Sequence, residues 1–263
     1  ISNMQNIFVS IFFKISSNNT KKIVIENRLF LKEIGEVIDS KTYSQNNYGI
    51  QNRIFKKINL PMTNNLIYSD LIIFILNNCI KKNVKYLEIG VSALKNFLLI
   101  NNSLNKSDLV SYDINEINPL HSERLLNSKK NKITYFKGSV LDKTDLLKFK
   151  EQIDLKFNFI FSDALHTPEG LKNEYFNIYK DKLDDQFFIY FDDLDFPNLF
   201  NAAEEIYNDM NKNHDKLNFY TFKLFGWIGH YEPLHLNGII TNIDFEKFLE
   251  QNSMKIPFFK KIN

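Results

Sequence analysis

Short apolar runs rich in β-branched and aromatic residues recur at 84–88, 109–113, 133–136, 157–161 and 187–191, and this recurrence constrains the fold more than any other feature. Most of these runs are separated by enough chain for a crossover helix. Strand and helix alternating in this way predict a doubly wound α/β fold, a mostly parallel sheet with helices on both faces. Two further runs, 217–224 and 235–241, are expected to pair antiparallel through a connection over 226–233. Ligands in open sheets of this kind sit at the carboxyl ends of the strands, so the informative side chains are Glu88, Asp113, Asp163, Asp192 and Asp193.

Upstream, residues 22–39 carry apolar positions at helical spacing, among them Ile23, Ile25, Leu29, Phe30, Ile34 and Val37. We read residues 1–60 as an N-terminal helical arm and 61–263 as the catalytic domain, with the boundary near Asn59-Leu60-Pro61. The arm either covers a substrate, pairs with a second subunit to form a homodimer, or completes the core. Thr63, Asn64 and Asn65 offer caps for a helix running to about Lys82.

Charge excludes several partners. Thirty-three basic against 31 acidic residues leave a net charge of only +2, and the lysine pairs are scattered rather than gathered into a stripe. Neither nucleic acid nor an anionic membrane is expected as a partner. The apolar stretch 7–13 is broken by Lys14 well short of the ~18 residues of a membrane span, and it lacks a basic leader and a cleavage site. Cys79 is the single cysteine, which points to a reducing, cytoplasmic setting and a buried structural thiol.

At the end of the first run, Glu88-Ile89-Gly90-Val91-Ser92 has a glycine that permits a tight turn and close backbone approach. Glu88 can anchor that loop or hold a ligand ammonium. A nicotinamide-binding loop would read G-x-G-x-x-G, whereas only one glycine stands here. Asp113, about twenty residues on, is placed to accept both hydroxyls of a ribose, or else to cap the following helix.

Tyr86-Leu87-Glu88-Ile89-Gly90-Val91-Ser92, Ser111-Tyr112-Asp113 and Phe159-Ile160-Phe161-Ser162-Asp163-Ala164 together resemble successive motifs of class I S-adenosylmethionine-dependent methyltransferases, over roughly 64–225. The resemblance implies that Glu88, Gly90 and Ser92 flank the methionine part of the cofactor. It implies further that Asp113 holds the ribose and that Gly138-Ser139-Val140 lies beside the adenine. The family commonly has further glycines where this chain reads Ala93-Leu94-Lys95, and an acid near Ser139, where this chain offers Asp142.

The segment from Ser162 through Gly170 is similar to the fourth-strand motif of metal-dependent small-molecule O-methyltransferases. That likeness implies a divalent cation, such as Mg2+, on Asp163, Asp192 and Asp193. Three carboxylates on one sheet edge repel unless a cation or protons neutralise them, and all-oxygen ligation favours magnesium, calcium or manganese. The alternative is that Asp192 and Asp193 only cap the strand end. His166 is close enough to Asp163 to act as a general base, or else to be a hydrogen-bonding scaffold. Trp227, His230, Glu232 and His235 fall in one short stretch that could wall a substrate pocket; their spacing matches no recognised zinc site.

No P-loop, G-x-S-x-G elbow or H-E-x-x-H helix is present. The expected activity is methyl transfer from S-adenosylmethionine to a hydroxyl, less readily an amine, of a small polar metabolite, with Asp163 and His166 as catalytic groups. The rival expectations are a nicotinamide-dependent oxidoreductase and a non-catalytic cofactor-binding or scaffold protein of the same fold.

Overall fold

The computed structural model describes residues 18–38, 63–81, 83–119, 122–126, 128–225 and 234–262. Its eight strands are β1 (Lys85–Ile89), β2 (Asp108–Asp113), β3 (Lys132–Lys137), β4 (Phe157–Ser162), β5 (Leu183–Phe191), β6 (Asn218–Leu224), β7 (His235–Thr241) and β8 (Lys260–Ile262). They form one sheet in the order β3-β2-β1-β4-β5-β7-β6-β8. Pairs among β1 to β5 are parallel, and β7, β6 and β8 add antiparallel to them. The strand order reverses between β1 and β4, and a crevice at such a switch point is where open α/β sheets take ligands.

Strands β1 to β7 lie on the predicted runs, because each central strand is buried on both faces, although β5 begins at Leu183, ahead of its run, and β8 was not predicted. Along β4 every residue from Phe157 to Ser162 is buried. Two aromatic-rich core layers result. One holds Tyr86, Phe159, Phe161, Phe188 and Tyr190 against helices α1 (Asn18–Ile38), α2 (Tyr68–Ile75) and α3 (Lys95–Ser103). The other holds Tyr112, Phe136, Phe149, Phe157 and Phe191 against α5 (Lys143–Gln152), α6 (Pro168–Asn173) and α7 (Pro197–Met210). The remaining helices are α4 (Ser122–Leu126) and α8 (Phe245–Gln251).

α1 forms as its apolar spacing predicts. Val24 and Leu31 are buried in the first layer, whereas Ile25 and Leu29 stay on the surface. A buried ion pair fixes the helix: the Arg28 guanidinium meets both carboxylate oxygens of Asp70, at 3.1 and 2.8 Å. Arg28 also donates to the carbonyls of Thr63 and Asn65, and Asn27 donates to Asp70 at 2.8 Å. A bidentate guanidinium with its remaining donors satisfied is the geometry in which such a buried pair holds firm. Residues 39–62, with the expected boundary, lie outside the described residues, as does the 226–233 connection.

α2 is shorter than the caps at Thr63, Asn64 and Asn65 suggest, because those residues serve the approach to Arg28 and the helix begins at Tyr68. It continues as a π-helical turn, Leu76–Ile80, that carries Cys79. Burial pushes the Cys79 thiol up to about 11, as expected of an unreactive structural cysteine. Among the described residues no helix is long and apolar enough to cross a membrane.

Candidate active site

The predicted residues meet along the carboxyl edge of β2, β1, β4 and β5. Gly90 follows β1 at φ +86°, and its amide donates to the Tyr112 carbonyl at 2.8 Å. A Cβ built there would fall 2.2 Å from the Asp163 carbonyl oxygen and 2.5 Å from the Ala164 Cα. The backbone whose approach Gly90 permits is therefore the chain's own β4 exit.

Beyond Gly90 the turn is made without further glycines, with Ser92 at φ 47° and Leu94 at φ 65°. Left-handed conformations cost a non-glycine residue about 1–2 kcal/mol each. Asp113 offsets that cost: its Oδ2 accepts the amides of Val91 (2.8 Å) and Ser92 (3.0 Å), and its Oδ1 accepts that of Asn115 (2.8 Å). A carboxylate offers about four acceptor positions. The bonds to Val91, Ser92 and Asn115 take three of those positions on Asp113.

Glu88 is buried at the end of β1. Its Oε2 accepts from the Tyr86 hydroxyl at 2.6 Å and the Asn96 amide at 2.9 Å, and burial pushes its carboxyl up to about 8. Asn96 Oδ1 is buried with no hydrogen-bond partner among the described residues. An acceptor left in that state beside a carboxylate suits a ligand donor such as an ammonium.

Lys95 is the residue that sequence reasoning missed. Read only as a bulky replacement for glycine, it is buried at the first turn of α3. Its Nζ donates to Ser69 Oγ at 3.1 Å and stands 3.9 Å above the Tyr68 ring, which stacks on Phe161 of β4. Burial draws its ammonium down to about 7, against Glu88, Asp192, Asp163 and Asp70, which favour the charge. A lysine opening a helix gave no sequence signal that it faces inward.

Ser139 and Val140 follow β3 and lie next to Asp113, because the Gly138 amide donates to the Asp113 carbonyl at 2.8 Å. The Ser139 carbonyl accepts from the Tyr112 hydroxyl, and its amide donates to Asp145 at 3.0 Å. Asp142, the acid nearest in sequence, instead caps α5 through the amides of Thr144 and Asp145. Asp145 is thus the carboxylate facing this loop.

Asp163, Asp192 and Asp193 reach the same edge as predicted, but two imidazoles lie among them. His166 Nε2 is 3.1 Å from Asp163 Oδ1 and its Nδ1 is 3.4 Å from Asp193 Oδ2. His235 Nδ1 sits 3.0 Å from Asp193 Oδ1. Among the described residues no three ligands gather around a point as a metal site would need. The hydrogen bond to Asp163, with Asp193 and Asp192 nearby, holds the His166 imidazole up at about 9 despite burial. Burial and the neighbouring Asp163 and Asp193 push the Asp192 carboxyl up to about 8. His235, read from sequence as part of a stretch that could wall a substrate pocket, pairs with Asp193. The rest of that stretch, Trp227, His230 and Glu232, lies outside the described residues.

No family model matches the chain, and no curated protein matches it. Solved structures do. An O-methyltransferase from Bacillus cereus in complex with SAH is 15% identical with a TM-score of 0.50, over 78% of this chain and 94% of that one. The O-methyltransferase TomG from Streptomyces achromogenes, in complex with SAM, is 13% identical with a TM-score of 0.49, over 65% and 77%. Spermidine synthase from Thermotoga maritima is 14% identical with a TM-score of 0.44, over 69% of this chain and 62% of that one. At these identities the likeness establishes the fold, which is the Rossmann-like fold of the methyltransferases.

Proposed function

We propose that the chain binds S-adenosylmethionine along Glu88, Gly90, Ser92, Asp113, Ser139 and Val140 and transfers its methyl group to a hydroxyl of a small polar molecule. The observation that carries this reading is the joining of the loops after β1, β2 and β3 at the switch point through Asp113, which takes the Val91 and Ser92 amides while its carbonyl takes that of Gly138. The loop is built as a cradle with acidic anchors at both ends, Glu88 toward an ammonium and Asp113 toward a sugar hydroxyl. The single glycine disfavours the nicotinamide alternative.

The cofactor supplies an electrophilic sulfonium methyl, so the protein has to align the acceptor oxygen and accept its proton. In this reading the oxygen lone pair forms the new C–O bond as the S–C bond breaks, and the acceptor proton passes to His166, oriented by Asp163. His166 rests protonated at neutral pH, so it becomes a base only after losing that proton. A sulfonium bound nearby favours the loss, because like charge lowers the pKa of a cationic acid. The expected cation on Asp163, Asp192 and Asp193 does not fit the arrangement, since His166 stands between Asp163 and Asp193; no step is routed through it.

The setting proposed with this activity is cytoplasmic, with a small-molecule partner and neither nucleic acid nor membrane. Ile25 and Leu29, exposed on α1, support pairing with a second copy. The test is transfer of labelled methyl to a panel of polyhydroxyl and amine acceptors, with and without chelator. Transfer that survives chelation and is lost in His166→Ala supports the reading. Transfer restored only by added magnesium overturns the role given to His166.

A further inference from the structure

Glu174 meets Ser162, the residue that precedes Asp163. It opens a π-helical turn, Glu174–Tyr179, that interrupts the chain after α6. Turns of this type are rare and recur at functional sites. Only 1% of the residue is exposed. Its Oε2 accepts from the Ser162 hydroxyl, whereas its Oε1 has no hydrogen-bond partner among the described residues. A buried carboxylate oxygen without a donor costs about 1–3 kcal/mol or more, and each such group in a native protein calls for an occupant.

The space for that occupant is present. Ser162, Asp163, His166, Glu174 and Asp192 line a small pocket with room for about one water. Its apolar side is closed by Leu171, Leu194 and Leu199. A buried water takes two to four polar partners, and this pocket offers three carboxyl groups: Asp163 as an acceptor, with Glu174 and Asp192, both raised to about 8, able to donate or accept. Ser162 ties them together: it precedes Asp163 in the chain, its carbonyl accepts the Asp192 amide at 3.4 Å, and its hydroxyl engages Glu174.

We propose that this pocket is a fixed water site held by Glu174 Oε1 and the carboxylates of Asp163 and Asp192, through which Glu174 acts as a positioning residue for the Asp163–His166 pair. Its catalytic consequence rests on the methyl-transfer reading; the water itself does not. Burial raises the Glu174 carboxyl to about 8, as expected of a group lacking a second donor. The water gives Asp163 a second donor besides His166, so its carboxylate stays turned with Oδ1 toward the imidazole. Removing the carboxylate removes the water and frees that rotation.

The test is a set of high-resolution crystal structures of the full chain, as wild type, Glu174→Gln and Glu174→Leu, together with their kinetics. A water bridging residue 174 and Asp163 in the first two, absent in Glu174→Leu with His166 turned from Asp163, supports the proposal. The kinetic counterpart is a kcat reduced about tenfold to a hundredfold in Glu174→Leu, as misplacement of a reacting group costs, with cofactor Kd unchanged and Glu174→Gln close to wild type. A dry pocket in the wild type overturns it, as does an undisturbed Asp163–His166 pair in Glu174→Leu. Should Glu174→Leu fail to fold, Ser162→Ala releases the aim of Glu174 and must displace the water; a water left in place overturns the proposal. If no variant transfers methyl, the functional reading falls while the water is still decided by the density.

Discussion

Gly90 packs directly on the carbonyl of Asp163, where an added Cβ would approach to 2.2 Å. The two residues end neighbouring strands, and the Asp163 amide donates back to Ile89 at 2.9 Å. Gly90→Ala should therefore destabilise the fold itself. Positive φ and overpacking against backbone each cost about 1–3 kcal/mol, so chemical denaturation should show a loss of about 2 to 5 kcal/mol without any ligand. Wild-type stability would mean that the glycine serves a ligand instead.

Lys95 is a buried lysine beside the proposed cofactor loop, charged below about pH 7, the value to which burial draws its ammonium. A unit charge several ångströms from a sulfonium repels it by roughly 1 to 2 kcal/mol at an effective dielectric of 20. Lys95→Met should thus shift the ratio of affinities for S-adenosylmethionine and its neutral demethylated product toward the former, by about tenfold. An unchanged ratio would place the sulfonium elsewhere.

Stability should fall as pH rises from about 5 to 7. Glu88, Glu174 and Asp192 release protons near 8 in the folded protein and near 4 when unfolded. The native state binds more protons between those limits, so raising pH favours unfolding. His166, held near 9 against an unfolded value of 6.5, extends the same trend upward. Lys95, lowered to about 7 from 10.5, opposes it above neutrality. Thermal unfolding across pH 5 to 9 checks the sign; a midpoint rising steadily from pH 5 to 7 would contradict the burial of these carboxyls.

If His166 accepts the acceptor's proton, kcat/KM should climb with pH toward about 9, the value at which the free imidazole is released. His166→Ala should lose that limb and about a hundredfold to ten-thousandfold in rate. A profile that keeps its limb in the variant assigns the titration to another group.

The parallel strands were legible because buried parallel strands carry continuous apolar runs, and 109–113 lands within a residue of β2. The acidic edge was legible for the same reason, each acid lying just past its run. Lys95, Glu174 and the pairing of His235 with Asp193 were not. Each faces inward through a helical turn or a strand start whose sequence is polar, and helix spacing alone does not say which polar residue is buried. Asp113 was found by position, but its three amide bonds depend on the fold of a loop lacking the usual glycines.

Calorimetric titration with S-adenosylmethionine tests the central claim most directly. The account predicts one cofactor per chain, with Asp113→Ala weakened by about 1.5 to 3 kcal/mol through loss of a charge-assisted hydrogen bond and of the latched loop. No binding, binding of a nicotinamide dinucleotide in its place, or equal affinity in Asp113→Ala would contradict it.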